Sequence, residues 1–126
     1  QVRRMAAAGV EIGGHTVNHP ILARIGLEEA RREILDNRDT LAQITGEVPR
    51  SFAYPNGKPN LDYTAAHARL VEEAGYDVAV STAVGVATRS AHRFQLPRFM
   101  PRERSSAQFV ARMVRMATHR QPQLAS

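Results

Sequence analysis

The segment EEAGYDVAVST, residues 72–82, contains the transition that decides the fold. A helical pattern from Tyr63 to Ala74, with Asp62 as its expected cap, ends at Gly75, where a glycine commonly follows the last helical turn. The residues from Tyr76 to Ser81 then favour a strand. A helix that leads through one glycine into a strand is typical of α/β domains.

The same alternation extends to both sides of this segment. Leu27 to Thr45 has apolar residues at helical spacing and is followed by Gly46. Residues 105–108 have the form of a capping box, and they predict a last helix that buries four apolar side chains, namely Phe109, Val110, Met113 and Val114. Further short strands are expected at Val10–Ile12, Ser51–Ala53 and Phe94–Arg98. These elements predict an α/β fold with a mainly parallel sheet wrapped by helices.

The composition is that of one folded domain. With 126 residues, of which 43% are hydrophobic, the chain is long enough to form a single core. It contains no cysteine, which excludes disulfides, thiolate metal ligands and cysteine nucleophiles. No stretch approaches the roughly 20 apolar residues that span a bilayer, so no membrane span is expected. We expect one domain over residues 1–121 and a flexible tail over residues 122–126.

The chain is basic, with a net charge of +5, and 16 of its 17 basic residues are arginines. The densest run, from Arg89 to Arg120, holds eight arginines against the single acid Glu103. Such a surface can contact phosphates, so an Arg-rich nucleic-acid-binding domain is one alternative function. Few aromatic residues are interleaved with these arginines, which favours a solvated face over a nucleic-acid interface. No sequence pattern specifies an oligomeric state.

The segment HTVNH, residues 15–19, places two histidines four residues apart after a Gly-Gly pair. Imidazole is a common zinc ligand, and two rings one turn apart can converge on one ion. Gly13 and Gly14 are expected to let the backbone turn sharply, and Thr16 to hydrogen-bond within the turn and hold the second ring. The alternative is a surface loop in which His15 and His19 are unrelated and one ring caps the following helix.

Four motifs in order resemble the polysaccharide deacetylase family, also called carbohydrate esterase family four. They are GVEIGGHTVNHPIL, TGEVPRSFAYPNG, EEAGYDVAVST and FQLPRF, which begin at residues 9, 45, 72 and 94. The likeness is to the branch with a Phe-Ala-Tyr-Pro-x-Gly motif, and it extends from about Gln1 to Met116. It implies a distorted (β/α) barrel, here a partial one, and hydrolysis of N-acetyl groups on an N-acetylated glycan.

The resemblance also implies roles for individual residues. His15 and His19 match the two histidines that hold a divalent metal, most commonly zinc, with Thr16 as an outer contact. In the family the metal polarises an acetamide carbonyl and activates a water, while a carboxylate takes the proton. The backbone N–H of Asn56 matches the position that stabilises the oxyanion. Tyr54 and Pro55 are candidate substrate contacts, although Tyr54 can equally cover the rim of the barrel.

Three departures from the family pattern are visible. The paired aspartates that supply the base and a third metal ligand are absent, so the chain is expected to lack the first βα portion of the domain. Ala53 stands where many members have an arginine that orients the base, and Arg98 is the candidate to replace it; the alternative for Arg98 is a surface residue beside a core strand. The histidine motif that supplies the general acid has no match, since His67 and His119 are expected on helix surfaces and His92 is a weak candidate.

The leading hypothesis is therefore a metal-dependent hydrolase that removes N-acetyl groups from an N-acetylhexosamine polysaccharide, with this chain as an incomplete catalytic domain that is inactive alone. The alternative is a degenerate or truncated deacetylase-like module that binds carbohydrate or has a structural role, without activity. The resemblance further implies a location outside the cytoplasm or in the cell envelope of a bacterium.

Overall fold

Three parallel strands form the sheet of the computed structural model, which describes residues 1–118 and 122–126. They are β1 (Ser51–Ala53), β2 (Val78–Ser81) and β3 (Leu96–Pro97), in the order β1-β2-β3. Phe52 lies opposite Ala79 and Val80 lies opposite Leu96. The predicted parallel sheet is confirmed, and β1 has the predicted bounds.

Strands β2 and β3 are shorter than predicted, because turns occupy the residues at which these strands were predicted to begin. Tyr76 N–H donates to the carbonyl of Val71, 3.4 Å away, and still closes the preceding helix. Gln95 N–H likewise donates to the carbonyl of His92 over 2.9 Å, so pairing of β3 starts one residue later.

The expected strand at Val10–Ile12 is wrong. Val10 N–H donates to the carbonyl of Met5 at the end of the first helix, and parallel pairing with β1 begins only at Gly14, as a single bridge to Phe52. Gly14 is needed for close approach rather than for the sharp turn that we expected. A Cβ atom there would lie 2.2 Å from the hydroxyl oxygen of Tyr76, closer than any real contact.

The described residues also form four helices and one 3-10 turn: α1 (Val2–Ala7), the turn Leu22–Arg24, α2 (Leu27–Thr45), α3 (Ala65–Glu73) and α4 (Ser106–Ala117). Helix α3 contacts β2, and α2 packs on α3. Helix α2 has the predicted bounds and ends at Gly46 in the left-handed conformation. Helix α3 begins two residues later than predicted, after Thr64 and not Asp62. Thr64 N–H donates to His67 Nδ1 over 3.1 Å, whereas Asp62 accepts the N–H of Lys58.

Two predictions about burial on the helices are also wrong. His67 is 4% exposed and not a surface residue, and burial lowers its pKa. On α4 the Ser105 side chain accepts the N–H of Gln108 as the capping box predicts. The apolar side chains expected to be buried there are exposed, by 39%, 56%, 41% and 63% for Phe109, Val110, Met113 and Val114. Among the described residues of α4, only Met116 is buried.

Aromatic side chains from β1 and the loops form the centre of the core. The rings of Tyr54 and Tyr63 are stacked with centroids 3.8 Å apart, and both side chains are fully buried. Tyr54 donates its hydroxyl to the carbonyl of Phe94 over 2.7 Å, and Tyr63 donates to Gln95 Oε1. Burial raises the pKa of both tyrosines, so they remain neutral hydrogen-bond donors.

The C-terminal residues differ from the flexible tail that we expected. Ala125 is 6% exposed, and its N–H donates to Gln95 Oε1 over 2.6 Å. The N–H of Ser126 donates to Asn60 Oδ1, and its carbonyl accepts the N–H of Ala65 at the start of α3. The predicted domain boundary at residue 121 lies outside the described residues. Within those residues, no helix is long and apolar enough to cross a membrane.

Candidate functional site

His15 is fixed at the edge of the sheet by two hydrogen bonds. Its N–H donates to Asn37 Oδ1 on α2 over 2.9 Å, and its Nδ1 lies 2.6 Å from the carbonyl oxygen of Ala53 at the end of β1. Since a carbonyl oxygen can only accept, Nδ1 carries the proton. The lone pair of Nε2 is therefore free to bind a metal or a proton.

Thr16 and His19 complete a strained turn. Both residues have a positive φ, at 61° and 57°, a conformation that costs free energy for residues other than glycine. The N–H of His19 donates to the Thr16 hydroxyl oxygen over 3.1 Å, and that hydroxyl donates to the carbonyl of His15. The expected hydrogen bonds of Thr16 within the turn are therefore present. The turn brings the rings of His15 and His19 edge to face, with centroids 4.8 Å apart.

Helix α2 holds this turn through a residue that the sequence did not indicate. One carboxylate oxygen of Glu33 accepts the N–H groups of Val17 and Asn18, each over 2.9 Å, and the other accepts the amide of the Asn18 side chain. Desolvation opposes ionisation of Glu33, but the hydrogen bonds from Asn18 and Val17 outweigh it and lower its pKa. Glu33 and Asn37 lie one helical turn apart, so one face of α2 holds both ends of the turn. The spacing of two polar residues on a predicted helix does not by itself point to a partner in the distant turn.

Replacing Glu33 with alanine is expected to loosen the turn without unfolding the protein. The substitution removes three hydrogen bonds to a charged group at an exposed site, so amide hydrogen exchange at Val17 and Asn18 should accelerate roughly tenfold. Asp36→Ala on the same helix is the matched control, because Asp36 is exposed and makes no ion pair with a described residue. Unchanged exchange in Glu33→Ala would show that other contacts hold the turn.

The structure brings the predicted site residues from three separate segments to one cavity of about 900 Å³. Its lining includes His15 and His19 from the turn, Asn56 from the loop after β1, and Arg98 from the end of β3. The carboxyl ends of parallel strands face the same edge of a sheet, and sites commonly form there. The histidine turn and the loop after β1 therefore lie at the same cavity.

Tyr54 and Pro55 are not placed to contact a substrate, and that prediction does not agree with the structure. Both side chains are fully buried, and the Tyr54 hydroxyl is used by the carbonyl of Phe94. The Tyr54 ring packs against Phe52 and Tyr63 in the core. A strand of three residues is too short for the alternation of exposed and buried positions to be recognised in the sequence. The burial of Tyr54 and Pro55 could therefore not be predicted.

Asn56 presents a backbone N–H that donates to no other described residue. Its φ is 55°, and its carbonyl accepts the hydroxyl of Thr82 over 3.1 Å. The peptide group that carries this N–H is held at its other end, where the Pro55 carbonyl accepts the N–H of Gly57 over 2.6 Å. A fixed, unused N–H beside a cavity has the character of an oxyanion donor.

Arg98 contributes a guanidinium for which the described residues provide no ion-pair partner. Its N–H donates to the carbonyl of Ser81 over 3.1 Å and continues the pairing of β3. The Nε atom is buried, and within the described part of the chain it has no hydrogen-bond acceptor. Of the other histidines, His92 is exposed and accepts the N–H of Phe94, while His119 lies outside the described residues.

The two rings of the turn fit part of a zinc ligand set. Neutral imidazole is a good nitrogen ligand for zinc, and His15 keeps Nε2 free for that purpose. In residues 1–118 and 122–126, no third His, Cys, Asp or Glu joins them to form a group that could hold a metal. Because zinc sites use at least three protein ligands, a complete site needs one more donor.

The sequence model of a family described as polysaccharide deacetylase matches residues 1–79. The chain is 37% identical over 57 residues to peptidoglycan-N-acetylmuramic acid deacetylase PdaC of Bacillus subtilis, covering 45% of this chain and 12% of that protein. It is 35% identical over 57 residues to peptidoglycan-N-acetylglucosamine deacetylase of Bacillus cereus, covering 45% of this chain and 21% of that protein.

A solved structure extends the likeness to the fold. Deacetylase PplD of Streptococcus pyogenes, in complex with acetate, superposes with a TM-score of 0.77 at 24% identity, over 87% of this chain and 47% of that chain. The chain thus spans less than half the length of each of these three proteins. It has part of their (β/α)-barrel fold, in a family that is generally metal-dependent and acts on N-acetyl amide bonds. The chain belongs to the polysaccharide deacetylase family.

Proposed function

We propose that this chain forms the histidine and oxyanion part of the active site of a metal-dependent deacetylase. The enzyme removes N-acetyl groups from an N-acetylhexosamine polysaccharide. The observation that supports this most strongly is the meeting of His15, His19, Asn56 and Arg98 at one cavity. These residues come from separate segments; His15, His19 and Asn56 stand at positions that match the family motifs, and Arg98 is the candidate to replace the arginine missing at Ala53.

His15 and His19 are the proposed metal ligands, and zinc is the proposed ion because both donors are imidazole nitrogens. The ion, when bound, supplies Lewis-acid polarisation of the acetamide carbonyl and lowers the pKa of a water. The Ala53 carbonyl keeps the proton of His15 on Nδ1 and directs Nε2 away from β1. Thr16 holds the backbone of His19 in the same turn. This fixed geometry avoids the entropy cost of ordering the ligands at each turnover.

Asn56 and Arg98 are proposed to act on the reacting groups. The free N–H of Asn56 donates to the acetamide oxygen as negative charge develops on it, which stabilises the tetrahedral intermediate. The guanidinium of Arg98 pairs with the carboxylate that takes the proton of the attacking water, and holds it in line. The 126 residues contain no adjacent aspartates, so this carboxylate is proposed to come from outside them. Arg98 is therefore a positioning residue.

The substrate and location follow from the relatives. Both curated relatives are named for deacetylation of peptidoglycan sugars, and we propose a glycan of the bacterial cell envelope as the substrate. The corresponding location is the cell envelope.

The proposal is tested by acetate release from chitotetraose. We expect release by the intact protein and none by the 126-residue chain, which supplies two metal ligands and an oxyanion donor but no base. Turnover by the short chain would place the base within it and contradict this assignment. An intact protein that carries paired aspartates but releases no acetate from any N-acetylated glycan would favour the binding module.

Arg98→Ala in the intact protein is expected to lower kcat by roughly 10- to 100-fold, the usual effect of losing a residue that orients a catalytic group. Its melting temperature should change little. Arg93→Ala is the control, since Arg93 is exposed and precedes β3. If both variants keep full activity, Arg98 is only a surface residue beside a core strand.

A further inference from the structure

Two side-chain amides hold residues 124–126 against the rest of the domain. Gln95 is 3% exposed; its Oε1 accepts the N–H of Ala125 over 2.6 Å, and its Nε2 donates to the carbonyl of the same residue over 3.4 Å. Asn60 Oδ1 accepts the N–H of Ser126 over 2.8 Å and the hydroxyl of that serine over 3.1 Å. The backbone of this segment is therefore satisfied by side chains and not by a neighbouring strand.

The two amides are also connected to each other. Asn60 has a φ of 63°, which asparagine tolerates better than most residues. In this conformation its N–H donates to the carbonyl of Tyr63 over 2.9 Å, and the Tyr63 hydroxyl donates to Gln95 Oε1 over 3.2 Å. Asn60, Gln95 and residues 124–126 thus form one hydrogen-bonded unit, which we call the clasp.

The clasp holds a loop that forms part of the cavity. In the loop 58–62, Lys58, Leu61 and Asp62 line the cavity. The N–H of Asp62 donates to the carbonyl of Lys58 over 2.9 Å, and the Asp62 carboxylate accepts the N–H of Lys58 over 2.8 Å, so the loop is a closed turn. Asn60 lies within this turn but is not among the described residues that line the cavity. The clasp therefore contacts the loop from outside the cavity.

The same loop supports a second part of the cavity. The carbonyl of Asp62 accepts the N–H of Ala23 over 3.0 Å, and the next residue, Arg24, lines the cavity. A displacement of the loop 58–62 would therefore change the cavity at two places.

The oxyanion donor is held by other contacts. The peptide that carries the N–H of Asn56 is fixed by the hydrogen bond between Gly57 and Pro55. The carbonyl of Gly57 accepts the N–H of Thr82 over 2.8 Å, and the carbonyl of Asn56 accepts the Thr82 hydroxyl. None of these hydrogen bonds involves the clasp, so its loss should leave Asn56 in place.

We propose that the clasp positions one wall of the substrate cavity, so that Asn60 and Gln95 are positioning residues for glycan binding. The link to the glycan rests on the proposed function. Without the clasp, the loop 58–62 keeps its own hydrogen bonds but must be ordered each time a substrate binds, which costs conformational entropy. This cost applies equally to the substrate and the transition state, so it raises KM and leaves kcat unchanged.

Two substitutions of Asn60 in the intact protein test the proposal. Asn60→Gly removes the acceptor of both hydrogen bonds from Ser126, and glycine adopts a positive φ without strain. We expect KM for chitotetraose to rise roughly five- to tenfold while kcat stays within about twofold. Asn60→Asp keeps the acceptor oxygen at an exposed position and should restore KM. A purely structural role would instead lower kcat at an unchanged KM, because unfolded molecules are inactive, and would contradict the proposal.

Ser126→Pro breaks the same contact from the other side, since proline has neither an N–H nor a hydroxyl. KM should rise as in Asn60→Gly. The double variant should be no worse than either single variant, because both residues act through one contact. Gln123→Pro is the matched control: Gln123 is exposed and its N–H donates to no described residue. Additive losses, or an equal rise of KM in the control, would overturn the proposal.

Amide hydrogen exchange separates this inference from the proposed function. The N–H groups of Leu61 and Asp62 both donate to the carbonyl of Lys58, and their exchange should accelerate roughly tenfold in Asn60→Gly but not in Asn60→Asp. If exchange or KM is unchanged in Asn60→Gly while the wild-type protein releases acetate, the inference is wrong and the proposed function stands. If exchange accelerates in a protein that releases no acetate, the clasp holds the loop and the proposed function is wrong.

Discussion

Replacing His15 or His19 with alanine is expected to abolish acetate release by the intact protein. Each substitution removes one of the two proposed imidazole ligands, and the ligands that remain are too few to hold the metal ion. Because Lewis-acid activation contributes several kcal/mol to the rate, the loss should be ~10³-fold or more. Acetate release and zinc binding by calorimetry would both be measured. His92→Ala is the control, since His92 is exposed and is not among the described residues that line the cavity.

The isolated 126-residue chain gives an independent check on the same two residues. It offers two protein ligands and should bind zinc weakly. Tight zinc binding that survives the double substitution of His15 and His19 would place the metal elsewhere and refute the site.

Tyr54→Ala is expected to destabilise the fold by about 3–5 kcal/mol, the usual cost of removing a large aromatic side chain from a core. Tyr54 is 0% exposed and stacked on Tyr63, so the cavity left behind is enclosed. Tyr54→Phe should cost about 1–2 kcal/mol, because it removes only the hydrogen bond to the buried carbonyl of Phe94. Urea unfolding would measure both. Val48→Ala, at a residue that is 50% exposed, is the control and should change stability by less than about 0.5 kcal/mol.

This experiment also separates the two interpretations of Tyr54. If Tyr54→Ala retains its stability and loses affinity for glycans, then the residue contacts substrate, as its position in the motif led us to expect. If stability falls and Tyr54→Phe keeps full activity, then its role is in the core.

Local signals explain which parts of the fold were predictable. Helix α2 has 19 residues of regular apolar spacing followed by a glycine, and both of its ends agree with the sequence. The segment Val10–Ile12 has two apolar residues around Glu11, and pairing with β1 begins only at Gly14, where the backbone also meets Tyr76. Such contacts between distant segments are not encoded in a run of three residues.

The candidate site divides in the same way. His15 and His19 could be proposed because their spacing is local and carries a chemical meaning. Glu33 and Asn37 could not, because they act through hydrogen bonds to backbone groups 15 to 22 residues away. Both roles stayed open for Tyr54 because a motif gives the position of a residue in the chain but not the direction of its side chain, and the structure shows that side chain buried.

The hydrogen bond from His15 Nδ1 to Ala53 has a consequence for the open edge of β1. On that edge Gly14 N–H donates to the carbonyl of Ser51, and Ala53 N–H donates to the carbonyl of Gly14. The imidazole then takes the position that the next amide of a neighbouring strand would occupy, and it protects a carbonyl that could pair with another chain. His15→Ala therefore exposes this acceptor and His19→Ala does not. The two variants share their loss of activity, yet the first alone gains an edge open to aggregation.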